Sequence, residues 1–325
     1  MNNIFVTGVA GFIGFHLANH YLKKGINVVG LDNMNDYYDV QLKNDRLAIL
    51  NKYDNFEFYK EDLINKDHLL DIFKKHKFDF VINLAAQAGV RHSLTYPDTY
   101  INSNIVGFIN LLESMKSVGL KNLVYASSSS VYGLSDTFPL KEDLNTNSPI
   151  SLYGGTKKAN EVLAYSYHHL YKMNTIGLRF FTVYGPMGRP DMALFLFTKK
   201  ILDNQPIELF NYGNHIRSFT YIDDIVNSIY LLSEKHQNVK ETPINKIFNI
   251  GGHEAVNLKD FVNFIEKSLN KKAKIELKPI QKGDVKDTVA DNSLLFKEID
   301  YKPKTSFKEG VQQFINWYKE YYNKF

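Results

Sequence analysis

Three evenly spaced glycines near the start of the chain constrain its fold more than any other feature. Gly8, Gly11 and Gly14 separate a short apolar run, residues 4–6, from an amphipathic run, residues 15–24. This order predicts a buried strand, a tight turn and a helix. Gly8 permits the turn, Gly11 lets a pyrophosphate approach the backbone, and Gly14 lets the helix pack closely on the strand. The free N–H groups at the helix start also favour phosphate.

An acidic residue completes this predicted βαβ unit. A second apolar run, residues 27–31, is followed directly by Asp32. A carboxylate there accepts hydrogen bonds from both hydroxyls of an adenosine ribose and repels a 2′-phosphate, and the neighbouring Asn33 is not an arginine. Both observations favour NAD over NADP as the cofactor. Glycine spacing alone is a weak signal, but the strand, glycines, helix, strand and acid occur in register.

Further alternation of strands and helices predicts an α/β fold with a doubly wound parallel sheet. Apolar runs at residues 56–60, 78–84 and 123–126 each end in small or polar residues. Ligands of such sheets bind beyond the carboxyl ends of the strands. Asp62, after the first of these runs, is therefore expected to meet the adenine amino group; alternatively, it caps the helix that follows.

Composition excludes several classes of protein. The 325 residues suffice for one large α/β domain and a smaller one, and the net charge of +4 includes no long basic block, so no nucleic-acid partner is expected. The absence of cysteine excludes disulfides and thiolate metal ligands, and no metal site is expected. No signal peptide and no membrane-spanning run is recognised, so we expect a cytoplasmic protein without a membrane partner.

A candidate acid–base pair lies near the middle of the chain. Tyr153 and Lys157 are four residues apart, which places them on one face of a helix. A neighbouring cation lowers the pKa of a phenol, and a phenol tuned in this way can remove a proton from a sugar hydroxyl and return it. Alone, the spacing is weak support, because 21 tyrosines and 39 lysines and arginines make it common by chance. The alternative is an exposed helix face with a solvated lysine.

Several motifs together give the chain a resemblance to a known family. Four serines, residues 127–130, precede Val131-Tyr132-Gly133, and two further motifs occupy residues 179–186 and 217–224. With the glycines and the Tyr153–Lys157 pair, these motifs resemble the extended short-chain dehydrogenase/reductase family of nucleotide-sugar epimerases and dehydratases. The resemblance covers essentially the whole chain and implies a Rossmann sheet with a smaller C-terminal α/β substrate-binding lobe.

The resemblance implies catalytic roles for Tyr153, Lys157 and Ser128. Ser128 would help the tyrosine to polarise the reacting hydroxyl, Ser127 would touch the nicotinamide end, and Ser129 would contact the sugar; the alternative for the serines other than Ser128 is local backbone bonding. The 4,6-dehydratases of the family carry an Asp-Glu pair where this chain has Ser129 and Ser130. A loop with hydroxyls alone supports oxidation and re-reduction but offers no carboxylate for elimination.

Other segments are similar to the branch of UDP-glucuronate 4-epimerases. These are residues 85–93, 179–194 and 210–213. In that branch Thr182 would face C6 of the sugar and Arg189 would bind the C6 carboxylate; the alternative for Arg189 is an ion pair that orders a surface loop. Two departures are Gly154-Gly155, where relatives usually have two alanines, and Ser218, where glucuronate epimerases often have aspartate.

The resemblance also implies the contacts of both ligands. Arg217 would grip the diphosphate, and Gln281 and Asp284 would meet the ribose and phosphate of the nucleotide. The expected cofactor contacts are Gly8, Gly11, Phe12, Ile13, Gly14, Asp32, Asn33, Asp62, Leu63, Leu84, Ala85, Ala86, Gln87, Asn104, Ser127, Tyr153, Lys157 and Phe181. The expected substrate contacts are Arg91, Ser128, Ser129, Tyr153, Thr182, Arg189, Arg217, Gln281 and Asp284.

The expected activity is NAD-dependent 4-epimerisation of a UDP-sugar through a 4-keto intermediate, with UDP-glucuronate and UDP-galacturonate favoured and the NAD bound tightly and regenerated. Alternatives are a 4-epimerase of UDP-glucose or UDP-N-acetylglucosamine, a net reductase or dehydrogenase, and a redox-inactive NAD-binding sensor or scaffold. We expect an NAD-binding domain at residues 1–184 plus about 222–251, and a nucleotide-sugar-binding domain at about 185–221 plus 252–325. A homodimer through helices near residues 104–117 and 157–171 is expected by resemblance, as is a role in polysaccharide biosynthesis.

Overall fold

The computed structural model describes residues 1–238, 242–252, 254–281 and 285–323. Its strands are β1 (Asn3–Thr7), β2 (Asn27–Asp32), β3 (Phe56–Lys60), β4 (Phe80–Asn83), β5 (Asn122–Ser128), β6 (Asn174–Phe180), β7 (Thr182–Tyr184), β8 (Pro206–Leu209), β9 (Ile216–Tyr221), β10 (Asn245–Ile250), β11 (Ala255–Asn257), β12 (Lys274–Leu277) and β13 (Asp287–Thr288). Its α-helices are α1 (Phe12–Lys23), α2 (Val40–Leu50), α3 (Lys66–Lys75), α4 (His92–Thr95), α5 (Pro97–Tyr100), α6 (Gly107–Ser117), α7 (Leu152–Tyr171), α8 (Ala193–Leu202), α9 (Ile222–His236), α10 (Leu258–Leu269), α11 (Ser293–Ile299) and α12 (Phe307–Tyr321).

The central sheet has seven parallel strands in the order β10-β6-β5-β4-β1-β2-β3. Its strands are largely apolar and buried because helices cover both faces of the sheet. The strand order reverses between β1 and β4, and a crevice forms at such a point beyond the carboxyl ends of the strands. The predicted doubly wound α/β fold is confirmed.

The glycine turn between β1 and α1 has the tight geometry that the sequence predicts. Gly8 has a φ of +70°, in the left-handed region that favours glycine. A Cβ on Gly14 would lie 2.1 Å from the Gly8 carbonyl oxygen, so only glycine lets the first turn of α1 approach this closely. The helix begins at Phe12, earlier than the amphipathic run indicates, because Gly11 already adopts the N-cap position.

The second half of the fold contains two small sheets and the helices that cover them. β9 pairs with β7, β11 and β13, and β8 pairs with β12. Helix α12 begins with a capping box between Ser306 and Glu309, and it buries Phe314 and Tyr318 against Phe195 of α8. This is the C-terminal amphipathic helix expected from the sequence.

Among the described strands, the chain crosses between the central sheet and the smaller sheets three times, after β6, after β9 and after β10. After β9, helix α9 packs beside α1, and β10 then adds to the edge of the central sheet. β7 lies within the segment predicted for the first domain, yet it pairs with β9 in the smaller sheet. The exact division into two domains stays a prediction. Over the described ranges, no helix has the length and apolar character needed to cross a membrane.

Candidate active site

A cavity of about 990 Å³ lies beyond the carboxyl ends of the central strands, at the predicted crevice, and is closed on its other side by the smaller sheets. Every predicted site residue except Asn104 and Asp284 lines it. Asp284 lies outside the described residues. The cavity is at the upper end of the size range of ligand sites in proteins, which suits a pair of nucleotide ligands better than one small molecule.

Asn104 was expected to contact the cofactor, but it does not line the cavity. Its side chain is buried behind residue 87, where it accepts a hydrogen bond from the Gln87 N–H and donates to the Gln87 carbonyl and to the Thr156 hydroxyl. The amide group of Asn104 is therefore fully engaged within the protein. It holds the loop after β4 in place, and Gln87 itself faces the cavity.

The adenosine end of the predicted cofactor site is built around Asp32. Its carboxylate accepts hydrogen bonds from the backbone N–H groups of Ala10 and Met34, at 3.1 and 2.9 Å. Two carboxylate oxygens offer about four acceptor positions, so both can accept further bonds from a ligand. Lys43, buried in α2, places its Nζ 4.0 Å from Asp32. Sequence reasoning missed this lysine because it lies on a different helix from the glycine motif.

Asp62 lines the same end of the cavity and does not cap the helix after it. Its carboxylate accepts hydrogen bonds from the Asn33 side chain and from the Ile64 N–H, at 2.7 and 3.1 Å. Helix α3 begins later, with Asn65 at its N-cap position. The alternative reading of Asp62 as a helix cap is therefore wrong, and the residue remains available to an adenine.

The candidate acid–base pair occupies the first two turns of α7. The Ser151 hydroxyl caps this helix by accepting a hydrogen bond from the Gly154 N–H. Lys157 is buried and donates from Nζ to the Ala126 carbonyl of β5 at 2.9 Å. Burial lowers the pKa of Lys157 to about 8. The alternative of an exposed helix face with a solvated lysine is wrong.

The pKa of Tyr153 differs from the sequence expectation. Burial raises it, while the neighbouring Ser128 hydroxyl and the Arg189 charge lower it by less. Lys157 was expected to shift this pKa toward neutrality, but its ammonium is directed to the Ala126 carbonyl instead. Of the four serines, residues 127–130, Ser128 is the one whose hydroxyl lowers the pKa of this phenol; its catalytic role stays a prediction.

Ser127 has a different partner from the one expected. Its hydroxyl donates to Glu161 of α7 at 2.7 Å, and Glu161 forms a bidentate ion pair with Arg179 of β6 at 2.8 and 3.0 Å. Both charged side chains are almost fully buried. Burial alone would raise the pKa of Glu161, but the Arg179 guanidinium outweighs it and lowers that pKa. Arg179 also donates to the Tyr132 hydroxyl at 3.0 Å.

This network lies directly beneath the serine run and α7. Sequence reasoning missed Glu161, although it lies one helical turn beyond Lys157 on the face that carries the acid–base pair. An acidic residue on that buried face is the signal that was available.

The sugar end of the cavity holds an arginine–carboxylate pair. Arg189 donates from Nε and Nη2 to Asp191 at 3.0 and 2.5 Å, and the Tyr37 hydroxyl donates to the same carboxylate at 3.0 Å. Burial alone would raise the pKa of Asp191, but Arg189 outweighs it and lowers that pKa. Arg189 therefore does form the ion pair that was considered as the alternative to substrate binding. The pair lines the cavity together with Thr182 and does not order a loop on the outer surface.

The nucleotide end is formed by residues of the smaller sheets and the loops beside them. Arg217 of β9 donates to the carbonyls of Val285 and Lys286 at 2.6 and 2.5 Å. The guanidinium of Arg91 lies 4.8 Å from the centre of the Phe210 ring. Gln281 also lines this end. Ser218, in contrast, is buried away from the cavity and accepts a hydrogen bond from the Ala290 N–H, so its departure from the branch pattern leaves the lining unchanged.

Comparison with known proteins identifies the family of this chain. Residues 5–314 match the family model described as GDP-mannose 4,6 dehydratase. The chain belongs to this family. Within the family it is 48% identical over 334 residues to Protein CapI of Staphylococcus aureus, covering 99% of both chains. It is also 45% identical over 322 residues to UDP-glucuronate 4-epimerase of Thermodesulfobacterium geofontis, covering 98% of this chain and 97% of that protein.

A solved structure of the same architecture is UDP-glucuronic acid 4-epimerase from Bacillus cereus, in complex with UDP-glucuronic acid and NAD. It superposes with a TM-score of 0.92 at 35% identity and covers 98% of this chain and 100% of that one. The predicted recognition as a nucleotide-sugar epimerase relative is confirmed. Although the family description names a dehydratase, the similar proteins of Thermodesulfobacterium geofontis and Bacillus cereus are named as 4-epimerases.

The two glycines after Tyr153 differ in whether a side chain would fit at their position. A Cβ on Gly154 would lie 2.6 Å from the Ser130 carbonyl oxygen, so the start of α7 can approach the serine loop only with glycine there. A Cβ on Gly155 would meet no atom within 4 Å. Gly154 is thus required by the contact that brings Tyr153 beside Ser128, whereas Gly155 is not required by any contact.

We predict opposite effects for alanine at these two positions. Gly154→Ala must displace the Ser130 backbone, and a small displacement of reacting groups costs about tenfold to a hundredfold in rate, so kcat should fall by that amount. Gly155→Ala should leave kcat unchanged and stabilise the fold by about 0.5–1 kcal/mol through helix propensity. Steady-state kinetics and thermal unfolding of both variants measure these effects. Equal activity of the two variants would refute this account of Gly154.

We also predict that the buried ion pair is important for stability. Glu161→Gln leaves the Arg179 charge buried without a carboxylate, which should destabilise the fold by about 3 kcal/mol. The matched control is Lys158→Ala, because Lys158 contacts the same carboxylate at 3.4 Å from a partly exposed position and should contribute less than about 1 kcal/mol. Denaturant unfolding compares the two variants, and a Glu161→Gln loss no larger than that of Lys158→Ala would contradict the prediction.

Proposed function

We propose that this protein is an NAD-dependent 4-epimerase that interconverts UDP-glucuronate and UDP-galacturonate. The observation that carries the choice of sugar is Arg189, a guanidinium in the same cavity as Tyr153 and close enough to influence the pKa of its phenol. Asp191 occupies Nε and one hydrogen of Nη2, and the remaining hydrogens of Nη1 and Nη2 form a second fork that matches the two oxygens of a substrate carboxylate. The relatives named UDP-glucuronate 4-epimerase support the same choice.

The adenosine and phosphate end of the cavity fits NAD. The glycine turn brings backbone N–H groups to the start of α1, and the Asp32 carboxylate faces the cavity beside it. Gln87 also lines the cavity, and its buried side-chain nitrogen has no partner within hydrogen-bonding geometry among the described residues, although the Tyr100 hydroxyl lies near enough to Gln87 for this amide to lower the Tyr100 pKa. A buried amide of this kind is stabilised when a ligand accepts its hydrogen bond. Structures related to this chain were crystallised with NAD.

The proposed chemistry uses Tyr153 as the acid and base. NAD, when bound, supplies the hydride acceptor and donor at C4. In its phenolate form, the Tyr153 Oη takes the proton of the C4 hydroxyl and becomes the neutral phenol, and the Ser128 hydroxyl hydrogen-bonds the reacting oxygens. Lys157, fixed by the Ala126 carbonyl, keeps positive charge beside the reacting end of α7. After the 4-keto sugar turns its other face, Tyr153 returns the proton and the configuration at C4 is inverted.

A glucuronate substrate creates a second requirement. Its 4-keto form is a β-keto acid, which loses CO₂ when the carboxylate bond aligns with the ketone π system. We propose that Arg189 and Thr182 hold the carboxylate out of this alignment. Asp191 and Tyr37 fix the guanidinium through the hydrogen bonds described above, so its position is set before a substrate binds.

We further infer a homodimer through α6 and α7. These helices pack against each other, and apolar side chains on and beside them face outward, with exposed fractions of 41% for Val106, 55% for Val162, 57% for Tyr165 and 65% for Leu170. Clustered apolar residues of this kind are typical of a protein–protein contact. A cytoplasmic location and a role in polysaccharide biosynthesis stay predictions.

We predict that the holoenzyme converts UDP-glucuronate to UDP-galacturonate without net consumption of NAD. Tyr153→Phe should lower kcat by about a hundredfold to ten-thousandfold, as expected for the loss of a general acid–base, while it retains NAD. NMR of product mixtures from UDP-glucuronate, UDP-glucose and UDP-N-acetylglucosamine measures the activity, and denaturation of the purified protein releases the cofactor for identification.

The outcomes of this panel separate the alternatives. If UDP-glucose or UDP-N-acetylglucosamine is epimerised faster than UDP-glucuronate, that sugar is the substrate and the assignment of UDP-glucuronate is wrong. Stoichiometric consumption of added NAD(H) would indicate a net reductase or dehydrogenase. If no UDP-sugar is epimerised and Tyr153→Phe matches the parent protein in NAD content, the sensor or scaffold reading is correct.

We predict that Arg189→Ala weakens UDP-glucuronate binding and increases decarboxylation. Losing a charge-assisted hydrogen bond costs about 1.5–3 kcal/mol, which corresponds to a KM increase of roughly tenfold to a hundredfold. UDP-pentose should also rise among the products, measured by NMR. Arg189→Lys keeps the charge without the fork, so its KM and its pentose yield should lie between those of the unmodified protein and of Arg189→Ala. Unchanged affinity together with unchanged pentose in Arg189→Ala would exclude the proposed role.

A further inference from the structure

Arg46 of α2 is a buried arginine whose bonds join two distant loops. Its side chain is 0% exposed. From Nη1 it donates to the Ala10 carbonyl in the glycine turn and to the Tyr38 hydroxyl, both at 2.7 Å. From Nη2 it donates to the Met187 carbonyl at 2.6 Å, with a longer contact to Gly188 at 3.5 Å. It does not line the cavity.

The charge of Arg46 has an unusual environment. Among the described residues it has no carboxylate partner: Nη1 and Nη2 donate only to neutral oxygens, and the buried Nε has no hydrogen-bond partner. Burying an arginine in this way is costly compared with an apolar side chain of similar length. Stability therefore does not explain why residue 46 is an arginine. The planar guanidinium, which can donate hydrogen bonds to two loops at once, does explain it.

The loop that Arg46 holds leads directly into Arg189. Three successive carbonyls of this loop accept hydrogen bonds, because His16 of α1 donates from Nε2 to the Pro186 carbonyl at 2.9 Å. Burial lowers the pKa of His16 to about 4, so this ring is neutral near pH 7 and does not repel Arg46. The loop is thus bonded to the two helices that flank the glycine turn.

The backbone of this loop requires such support. Met187 has a φ of +56°, in the left-handed region that non-glycine residues adopt when their surroundings hold them there. The Arg46 bond is to the carbonyl of this same residue. Without that bond, Met187 is free to relax to a more favourable backbone angle, and the direction in which the chain enters Arg189 changes.

We propose that Arg46 is a positioning residue that aligns Arg189 with the substrate carboxylate and thereby determines specificity for uronic acid sugars. This inference rests on the proposed function, because it requires Arg189 to bind that carboxylate. The glycine turn, through the Ala10 carbonyl, is the fixed point against which Arg46 sets the loop. The geometry of the carboxylate site therefore depends on the cofactor-binding turn, although no residue of that turn touches the sugar-binding arginine.

The experiment measures ligand affinities in a Tyr153→Phe background, which slows turnover, with NAD saturating. Arg46→Met is added because it keeps length and apolar bulk but removes the fork. Calorimetry gives Kd for UDP-glucuronate, UDP-glucose and UDP. We expect UDP-glucuronate to bind about tenfold more weakly, since a misaligned charge-assisted hydrogen bond loses at least that factor, while UDP-glucose and UDP change by less than about twofold. The matched control is Asn44→Ala, an exposed position on the same helix, which should change none of the three.

The alternatives give different patterns. An equal loss for all three ligands would mean that Arg46 merely supports the fold, and no loss would mean that it does not position Arg189; either result overturns the inference. If Arg46→Met does not fold, Arg46→Lys is measured by the same criteria, since it keeps the charge but not the planar fork. If the Tyr153→Phe parent binds UDP-glucuronate no better than UDP-glucose, the proposed function is wrong, and this inference is wrong with it.

Discussion

The close approach of α1 to the glycine turn is the constraint on which the rest of the site depends. With no side chain at residue 14, the turn of the helix lies against the Gly8 carbonyl, and the backbone between them has little freedom. Both polar groups of Ala10 within this turn are then used. Its N–H donates to Asp32, and its carbonyl accepts from Arg46. One rigid turn therefore orients the Asp32 carboxylate on one side and the loop that leads into Arg189 on the other.

A second constraint acts beneath the candidate acid–base pair. The Glu161–Arg179 pair joins α7 to β6, and its hydrogen bonds to Ser127 and Tyr132 extend it to β5 and to the short helix after it. Desolvating two charges costs several kcal/mol per ion, so the pair contributes little net stability relative to apolar residues. Its effect is geometric: bidentate pairing fixes the rotation of α7 relative to β5, and these two elements carry Tyr153 and Ser128.

The parts of this architecture that the sequence predicts are those encoded by local spacing. Short sequence patterns predict the βαβ unit from Gly8 to Asp32, the parallel strands, and the shared helix face of Tyr153 and Lys157. They also predict the cavity residues that follow the ends of the strands. The residues that sequence reasoning missed act through distant partners. Arg46 bonds to Met187, 141 positions away, and Tyr37 to Asp191, 154 positions away. Asn104 was placed at the cofactor because motif position does not reveal which way a buried amide turns, and here Gln87 and Thr156 occupy it.

The acid–base centre shows why a spacing cannot by itself specify reactivity. A spacing of four positions puts Tyr153 and Lys157 on one face, yet the Lys157 ammonium bonds to the Ala126 carbonyl, and burial makes the phenol harder to ionise. The groups that favour the phenolate come from other elements, Ser128 from β5 and Arg189 from the loop after β7. In the function proposed above, the carboxylate of a uronic acid substrate would be a second partner of Arg189 and would offset part of its charge. Under that proposal, the base strength of Tyr153 and the recognition of the sugar are coupled through one guanidinium, and the loop that carries it must be held as firmly as α7 itself.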